Sequence, residues 1–241
     1  MSARVLAGPH AVEEALHAGA PLRYVAMERG RRDHRTRELA ATARAAGVEV
    51  RWETVTALDR LAGGLRHQGV VAVAEAKPTL ALEDLLQDAP RRLLLAADGI
   101  EDPQNLGALL RAAGGAGVDG LLLPSRRAAG LSATVERVSA GALEHVRVAR
   151  VGNLAQALER CREAGWWIIG LDAAGPAALW QFDLRPATVL VVGGEGRGLH
   201  ALIRAKCDAL VRIPLAPGVA SLNAAMAAAI ALFEAVRQRQ A

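Results

Sequence analysis

Two apolar runs near the C-terminal end, TVLVVGG (188–194) and ALVRIPL (209–215), each stop at a turn containing glycine and give way to a helical pattern. In open α/β sheets, such strand-to-helix turns are where ligands bind, beyond the carboxyl ends of the strands. This feature directs the reading toward a parallel α/β sheet, and the residues upstream agree. From 91 onward the strand-like runs RLLLAADG, DGLLLP, VRVARV and WWIIGLD alternate with the helix-like runs NLGALLRAAGGAG, SATVERVSAGALEHV and NLAQALERCREAG. The strands are apolar throughout, as a mostly parallel sheet covered on both faces requires. Ser132 and Asn153 read as N-caps, and Asn105 suits the cap of the helix that follows Asp102.

The first 76 residues carry a second α/β pattern. Pro9 opens a helix that closes at Gly19, LRYVAMER is a strand, and a helix over 36–46 is stopped by Gly47. VEVRWE is a strand, Thr54 caps a short helix, and GVVAVAEA is a further strand. The stretch KPTLALEDLLQDAP (77–90) is locally acidic and punctuated by prolines, so it reads as a linker with a short helix after Thr79. The expected organisation is a small α/β domain over 1–76, a linker over 77–90 and a parallel-sheet domain over 91–241.

Hydrophobic residues make up 52% of the chain and aromatics only 3%, so aliphatic side chains must fill the core. No apolar run reaches the roughly 18–20 residues that span a bilayer, and no apolar leader opens the chain. A cytoplasmic protein is therefore expected. Cys161 and Cys207 lack any ligand-like spacing, which points away from a metal site or disulfide framework. The net charge of +4 weakly favours an anionic partner. Arg29, Arg31, Arg32, His34, Arg35 and Arg37, with Arg66, His67 and Gln68 before Gly69, read equally as a solvated face or as a phosphate-contacting surface.

Three polar constellations interrupt the apolar pattern. Arg111 is the one charged residue between Asp102 and Asp119, so its guanidinium must reach water, an ion pair or an anionic ligand. GGEGRG (193–198) falls short of the dinucleotide fingerprint, because the third glycine of the frame is replaced by Leu199. Its glycines still permit close backbone approach to a ligand, with Glu195 among them. In PGVASLNAAMAAAI, Ser221 reads as a helix N-cap. Asn223 has less reason to open an alanine-rich helix, since its amide adds little to helix propensity.

In this order and on these elements the motifs resemble the SpoU/TrmH family of RNA ribose 2'-O-methyltransferases, part of the SPOUT superfamily. DPQNLGALLRAAGGAGVDGLLLP resembles its first motif, LVVGGEGRGL its second and IPLAPGVASLNAAMAAAIALFE its third. GPHAVEEAL and RHQGVVA are similar to the subgroup that modifies a guanosine of large-subunit (23S) ribosomal RNA. The resemblance implies a trefoil knot in the C-terminal domain, an RNA-binding N-terminal domain and a homodimer. It implies S-adenosylmethionine bound at Gly193, Gly194, Gly196, Ile213 and Leu222, and no metal. It gives Arg111 the catalytic role; beside it, Glu195 is expected to orient Arg111, and Asn105, Ser221 and Asn223 to fix the ribose and local backbone. Relatives commonly read SLNVS where this chain reads SLNAA, so Ala225 stands in place of a serine. The competing expectations are a transfer RNA methyltransferase of the same family, a non-catalytic RNA-binding ribosome-assembly protein, and a nicotinamide enzyme built on GGEGRG.

Overall fold

In the computed structural model, residues 3–31, 33–90 and 92–240 are described. Arg32 of the basic cluster and Arg91 at the expected domain boundary lie outside them. The chain begins with β1 (Arg4–Ala7), α1 (Pro9–His17), β2 (Leu22–Glu28), α2 (His34–Ala45), β3 (Glu49–Glu53), α3 (Val55–Ala62) and β4 (Val70–Ala74). Then follow α4 (Leu82–Gln87), β5 (Leu93–Asp98), α5 (Pro103–Ala116), β6 (Gly120–Pro124), α6 (Ala133–Ser139), α7 (Ala142–His145) and β7 (Val148–Val151). The last third holds α8 (Leu154–Glu163), β8 (Trp167–Leu171), β9 (Ala177–Ala178), β10 (Thr188–Gly193), α9 (Ala201–Lys206), β11 (Ala209–Arg212) and α10 (Ala224–Gln240).

These elements form two compact units, with boundaries that differ from the sequence expectation. One unit is the chain through Pro78 together with Leu131–His145; the other is Thr79–Gly130 together with the chain from Val146 onward. The first holds a sheet of order β1-β4-β2-β3, antiparallel except between β2 and β3. Its core joins Leu6, Val12, Val25, Met27, Leu39 and Val70 from strands and helices alike. Thr54 and Ser132 cap α3 and α6 as their residue types predict. The helix expected over 132–146 is instead two, because Ala140 (φ 50°) and Gly141 (φ 86°) turn left-handed between α6 and α7. A Cβ at Gly141 would lie 2.5 Å from the Cβ of Glu14, so the break lets α1 approach.

Segment 131–145 is held to this unit by a buried cluster of charges. The Arg4 guanidinium donates to both carboxylate oxygens of Glu136, at 2.9 and 2.8 Å, and to Glu144. Its Nε donates to the Glu75 carbonyl, and Lys77 donates to the Glu144 carbonyl. Burial pushes the Glu136 carboxyl up to about 7, against the pull of Arg4. Removing one partner of a buried ion pair costs about 3–5 kcal/mol, because the other charge is left uncompensated. Arg4→Met is therefore expected to lower the thermal transition of the protein by many degrees. The loss should be smaller at pH 6 than at pH 8, since the stranded Glu136 carboxyl, already raised by burial, takes up a proton at the lower pH. Equal losses at both values in a denaturation series would contradict this account.

The second unit is built on a sheet of order β7-β6-β5-β10-β8-β11-β9, with every described pairing parallel. The parallel sheet expected from the apolar runs is thus present. Successive strand residues point to opposite faces. Leu94, Ala96, Ile168, Val189 and Val191 meet Leu154, Leu158 and Cys161 of α8 and Ile203 of α9 on one face. Helices α5 and α10 pack on each other and against β6 and β10. Both helices are rich in small residues, and a Cβ at Gly115 would make only an ordinary 3.6 Å contact with Phe233. The expected linker is part of this core instead. Leu82 and Leu85 of α4 are buried in it, and Leu85 occupies space above Gly120 that a Cβ there would claim at 2.5 Å. The two-residue β9, pairing with β11 after Pro176, had no signature in the sequence. No helix among the described residues is long and apolar enough to cross a membrane.

Candidate active site

Strands β5, β8, β10 and β11 run parallel, so the loops leaving their carboxyl ends gather at one edge of the sheet. Asp98, the last residue of β5, is level with Gly193, the last of β10. The Asp98 carboxylate is buried and accepts from the His200 backbone N–H at 2.7 Å and pairs with His200 Nδ1 at 2.9 Å. These bonds anchor the loop after β10 across the end of β5. The loop then folds tightly on itself, the Gly198 N–H donating to the Gly194 carbonyl at 3.0 Å. Glu195, Gly196 and Arg197 form its exposed tip, with Gly196 left-handed at φ 79°.

The glycines of this turn are demanded by backbone, not by side chains that could move. A Cβ at Gly193 would lie 2.1 Å from the carbonyl carbon of Gly198. One at Gly194 would lie 2.3 Å from the Gly99 carbonyl oxygen. On the neighbouring strand pair, a Cβ at Gly175 would meet the Val211 carbonyl carbon at 2.7 Å. The loops after β5 and β10 therefore meet main chain to main chain, and the loop after β8 meets β11 in the same way.

Two helices aim their first turns at the same place. Helix α5 is capped by Asp102, whose carboxylate accepts from the Gln104 N–H at 3.0 Å, which corrects the assignment of that role to Asn105. Asn105 is thereby freed from capping and is half-buried in the first turn. Helix α10 is capped by Asn223 rather than by Ser221. Asn223 Oδ1 accepts from the backbone N–H groups of Ala225 at 2.9 Å and Met226 at 3.3 Å. Capping fixes which way the amide points. Asn223 Nδ2 then donates to Asn105 Oδ1 at 2.8 Å and to Glu195 Oε1 at 2.5 Å. One amide thus ties all three motif regions together, and a capping residue became the hub because its two ends serve different partners.

Arg111, Ser221 and the glycines complete the predicted set, with unequal outcomes. Ser221 is exposed and makes no hydrogen bond among the described residues. Arg111 is exposed too, and no hydrogen bond or ion pair engages its guanidinium there. Six residues along an α-helix place it about 120° around the axis from Asn105. Glu195 is bonded to Asn223 and not to Arg111, so the expected orienting contact is not made. Ile213 and Leu222 are half-buried and lie outside any helix or strand, at either end of the loop that closes through Val219 N–H to the Ala216 carbonyl. Sequence reasoning missed Asp98; its signal was a carboxylate ending the apolar run RLLLAAD. No group of three or more metal-ligating side chains occurs among the described residues.

Comparison with known proteins agrees with this geometry. Residues 92–233 match the SpoU rRNA Methylase family, and residues 5–80 match an RNA 2'-O ribose methyltransferase substrate-binding family. The chain is 43% identical over 243 residues to 23S rRNA (guanosine-2'-O-)-methyltransferase RlmB of Bordetella pertussis, covering 99% of each. It is 40% identical to the same enzyme of Shewanella oneidensis over 98% of each chain. Among solved structures, the SpoU methyltransferase AviRb of Streptomyces viridochromogenes in complex with AdoMet superimposes with a TM-score of 0.82 at 30% identity, covering 99% of this chain and 91% of that one. With glycine turns, polar hub and both matched regions in agreement, the chain belongs to the SpoU rRNA methylase family.

Proposed function

We propose that the protein transfers a methyl group from S-adenosylmethionine to the ribose 2'-hydroxyl of a guanosine in 23S ribosomal RNA. The observation that carries this reading is end-to-end similarity to enzymes of that activity, including the region that matches a substrate-binding family. A relative lacking that region would leave the RNA class open; here both regions match.

The site fits the cofactor. Gly193, Gly194 and Gly196 would hold it by main chain, the first two in a turn closed by the backbone of Gly198 and Gly99, and Ile213 and Leu222 add half-buried apolar surface. When bound, S-adenosylmethionine supplies a sulfonium-activated methyl group as electrophile. The chain must then align the ribose hydroxyl and manage its proton. A guanidinium holds its own proton at any working pH, so Arg111 does not act as a base. Its free, planar fork instead grips the phosphate beside the target ribose and stabilises the alkoxide as it develops. The Asn223 hub keeps Asn105 and Glu195 in register, and Ser221 stands exposed to contact the ribose. We further assign the segments after β10 and β11, which fold back over β5 and α5, to a trefoil knot. The exposed apolar residues Met226 (62%) and Phe233 (50%) of α10 support a homodimer, and the first unit is assigned to RNA binding.

The test is transfer of labelled methyl to unmodified 23S transcript and, in parallel, to bulk transfer RNA. Label at one ribosomal guanosine supports the assignment; label in transfer RNA alone overturns the substrate but keeps the chemistry. The hub has its own test. Asn223→Asp keeps the helix-capping acceptor but places a second carboxylate against Glu195, and two such groups cannot both ionise. Methyl transfer is expected to fall at least tenfold at pH 8 and to recover in part near pH 6, where one shared proton restores a donor. A variant-to-wild-type ratio that is flat with pH would remove Asn223 from this role.

A further inference from the structure

Outside the active site, the loop between α3 and β4 holds a polar depression of about 540 Å³, within the range of cavities that accept a small ligand. It lies wholly in the first unit, and the stretch Leu65–Gly69 forms one wall. The loop is shaped by left-handed residues: Gly63 (φ 57°), Gly64 (φ 87°), Gln68 (φ 50°) and Gly69 (φ 81°). Three are glycine, for which that conformation is free; Gln68 is not. At Gln68 a side chain is thus presented from a conformation that costs glycine less.

The remaining groups of the wall are committed elsewhere. The Gly69 N–H donates to His67 Nδ1 at 3.1 Å, which leaves the proton on Nε2 to meet Asp59 at 3.0 Å. Arg31 donates to the Gln68 carbonyl at 2.7 Å and to Asp33 at 2.6 Å, and stands 3.6 Å from Glu28. The lack of a side chain at Gly69 permits this closure, since a Cβ there would lie 2.5 Å from Arg31 Nη1. The two wall carboxylates thus each have a cationic or N–H partner. Arg66 and Gln68 do not: both are exposed, and neither side chain makes a hydrogen bond or ion pair among the described residues.

What remains uncommitted is one guanidinium, one amide with a donor and an acceptor on the same edge, and the half-buried apolar side of Leu65. That set matches a single nucleotide. The amide pairs with a base edge that offers both donor and acceptor, which is free only when the base is unpaired. The guanidinium suits the flanking phosphate. We infer that this depression is a second RNA contact, remote in sequence from the methyl-transfer residues, which captures one unpaired nucleotide of the substrate through Gln68 and Arg66.

The inference rests on the RNA-methylation reading, and its experiment separates the two. Gln68→Gly relaxes the backbone and removes the whole side chain, the amide with it. Binding of unmodified 23S transcript to the full-length protein is measured by filter retention, with thermal melting and methyl transfer alongside. The dissociation constant is expected to rise about tenfold, with the melting temperature unchanged or higher. KM for RNA should rise while kcat at saturating RNA stays at the wild-type value. Arg66→Gln should reduce the slope of log affinity against log salt by roughly 0.7, one contact to a single strand. Affinity of Gln68→Gly within twofold of wild type, or no RNA binding by the wild type, overturns the inference. Binding that depends on Gln68 without methyl transfer to any RNA would leave this contact standing and remove the enzymatic reading instead.

Discussion

Arg111→Ala is expected to reduce the rate of methyl transfer about a thousandfold while leaving both the fold and cofactor affinity intact. The stability half follows from position. The guanidinium is exposed on α5 and engages no hydrogen bond or ion pair among the described residues. Surface replacements of that kind stay within about 0.5 kcal/mol. The rate half follows from chemistry: a donor aimed at charge that develops only in the transition state contributes about 2.7–4 kcal/mol, or two to three orders of magnitude in rate. An arginine left without a protein partner on a helix of leucine, alanine and glycine has its donors available for an anionic substrate. Arg111→Lys sharpens the point. It restores the charge but not the planar pair of donors, so activity should remain at least tenfold below wild type. Single-turnover transfer at saturating RNA and cofactor reads this directly. Near-normal turnover of the lysine variant would show that fork geometry is dispensable and would defeat the proposed role.

The parts of this molecule that could be read in its sequence are those set by local chemistry. Apolar runs gave strands, Thr54, Ser132 and Asn153 gave caps, and Pro9 gave a helix start, because each depends on neighbours within a few residues. What could not be read depends on which segments meet. Asn105 and Asn223 both looked like separate features of separate helices; their hydrogen bond spans 118 residues of chain, and no spacing rule predicts it. Asn105 reads as the cap from its residue type alone, but the chain enters the helix three residues earlier and the structure gives the role to Asp102. The linker reading of 77–90 failed for a related reason. Its prolines and acids are real, but Leu82 and Leu85 are buried in the core, and Leu85 finds its place only because Gly120 on β6 leaves room. Likewise 131–145 joins the first unit through Arg4, a residue whose burial no local pattern reveals.

Gly194→Ala should have the other large effect, and for the opposite reason to Arg111: it acts through the backbone. An alanine Cβ would lie 2.3 Å from the Gly99 carbonyl oxygen, closer than carbon and oxygen approach without bonding, and neither a Cβ nor a backbone carbonyl can swing aside by a side-chain rotation. Relief requires the loop after β10 to move away from the end of β5. That movement pulls against the two bonds from Asp98 to His200 and carries Glu195 away from Asn223. Cofactor affinity is therefore expected to fall at least a hundredfold, with methyl transfer below detection and a melting temperature lower by several degrees. Gly196→Asn is the control. Gly196 is left-handed at φ 79°, but a Cβ there meets nothing within 4 Å, and asparagine tolerates that conformation. Its cost should be confined to about 1 kcal/mol of stability, with cofactor affinity reduced only a few-fold. Titration calorimetry with S-adenosylmethionine distinguishes the pair. If both variants bind alike, close approach of the two backbones is not what forms the pocket, and the cofactor must be held elsewhere on the sheet edge.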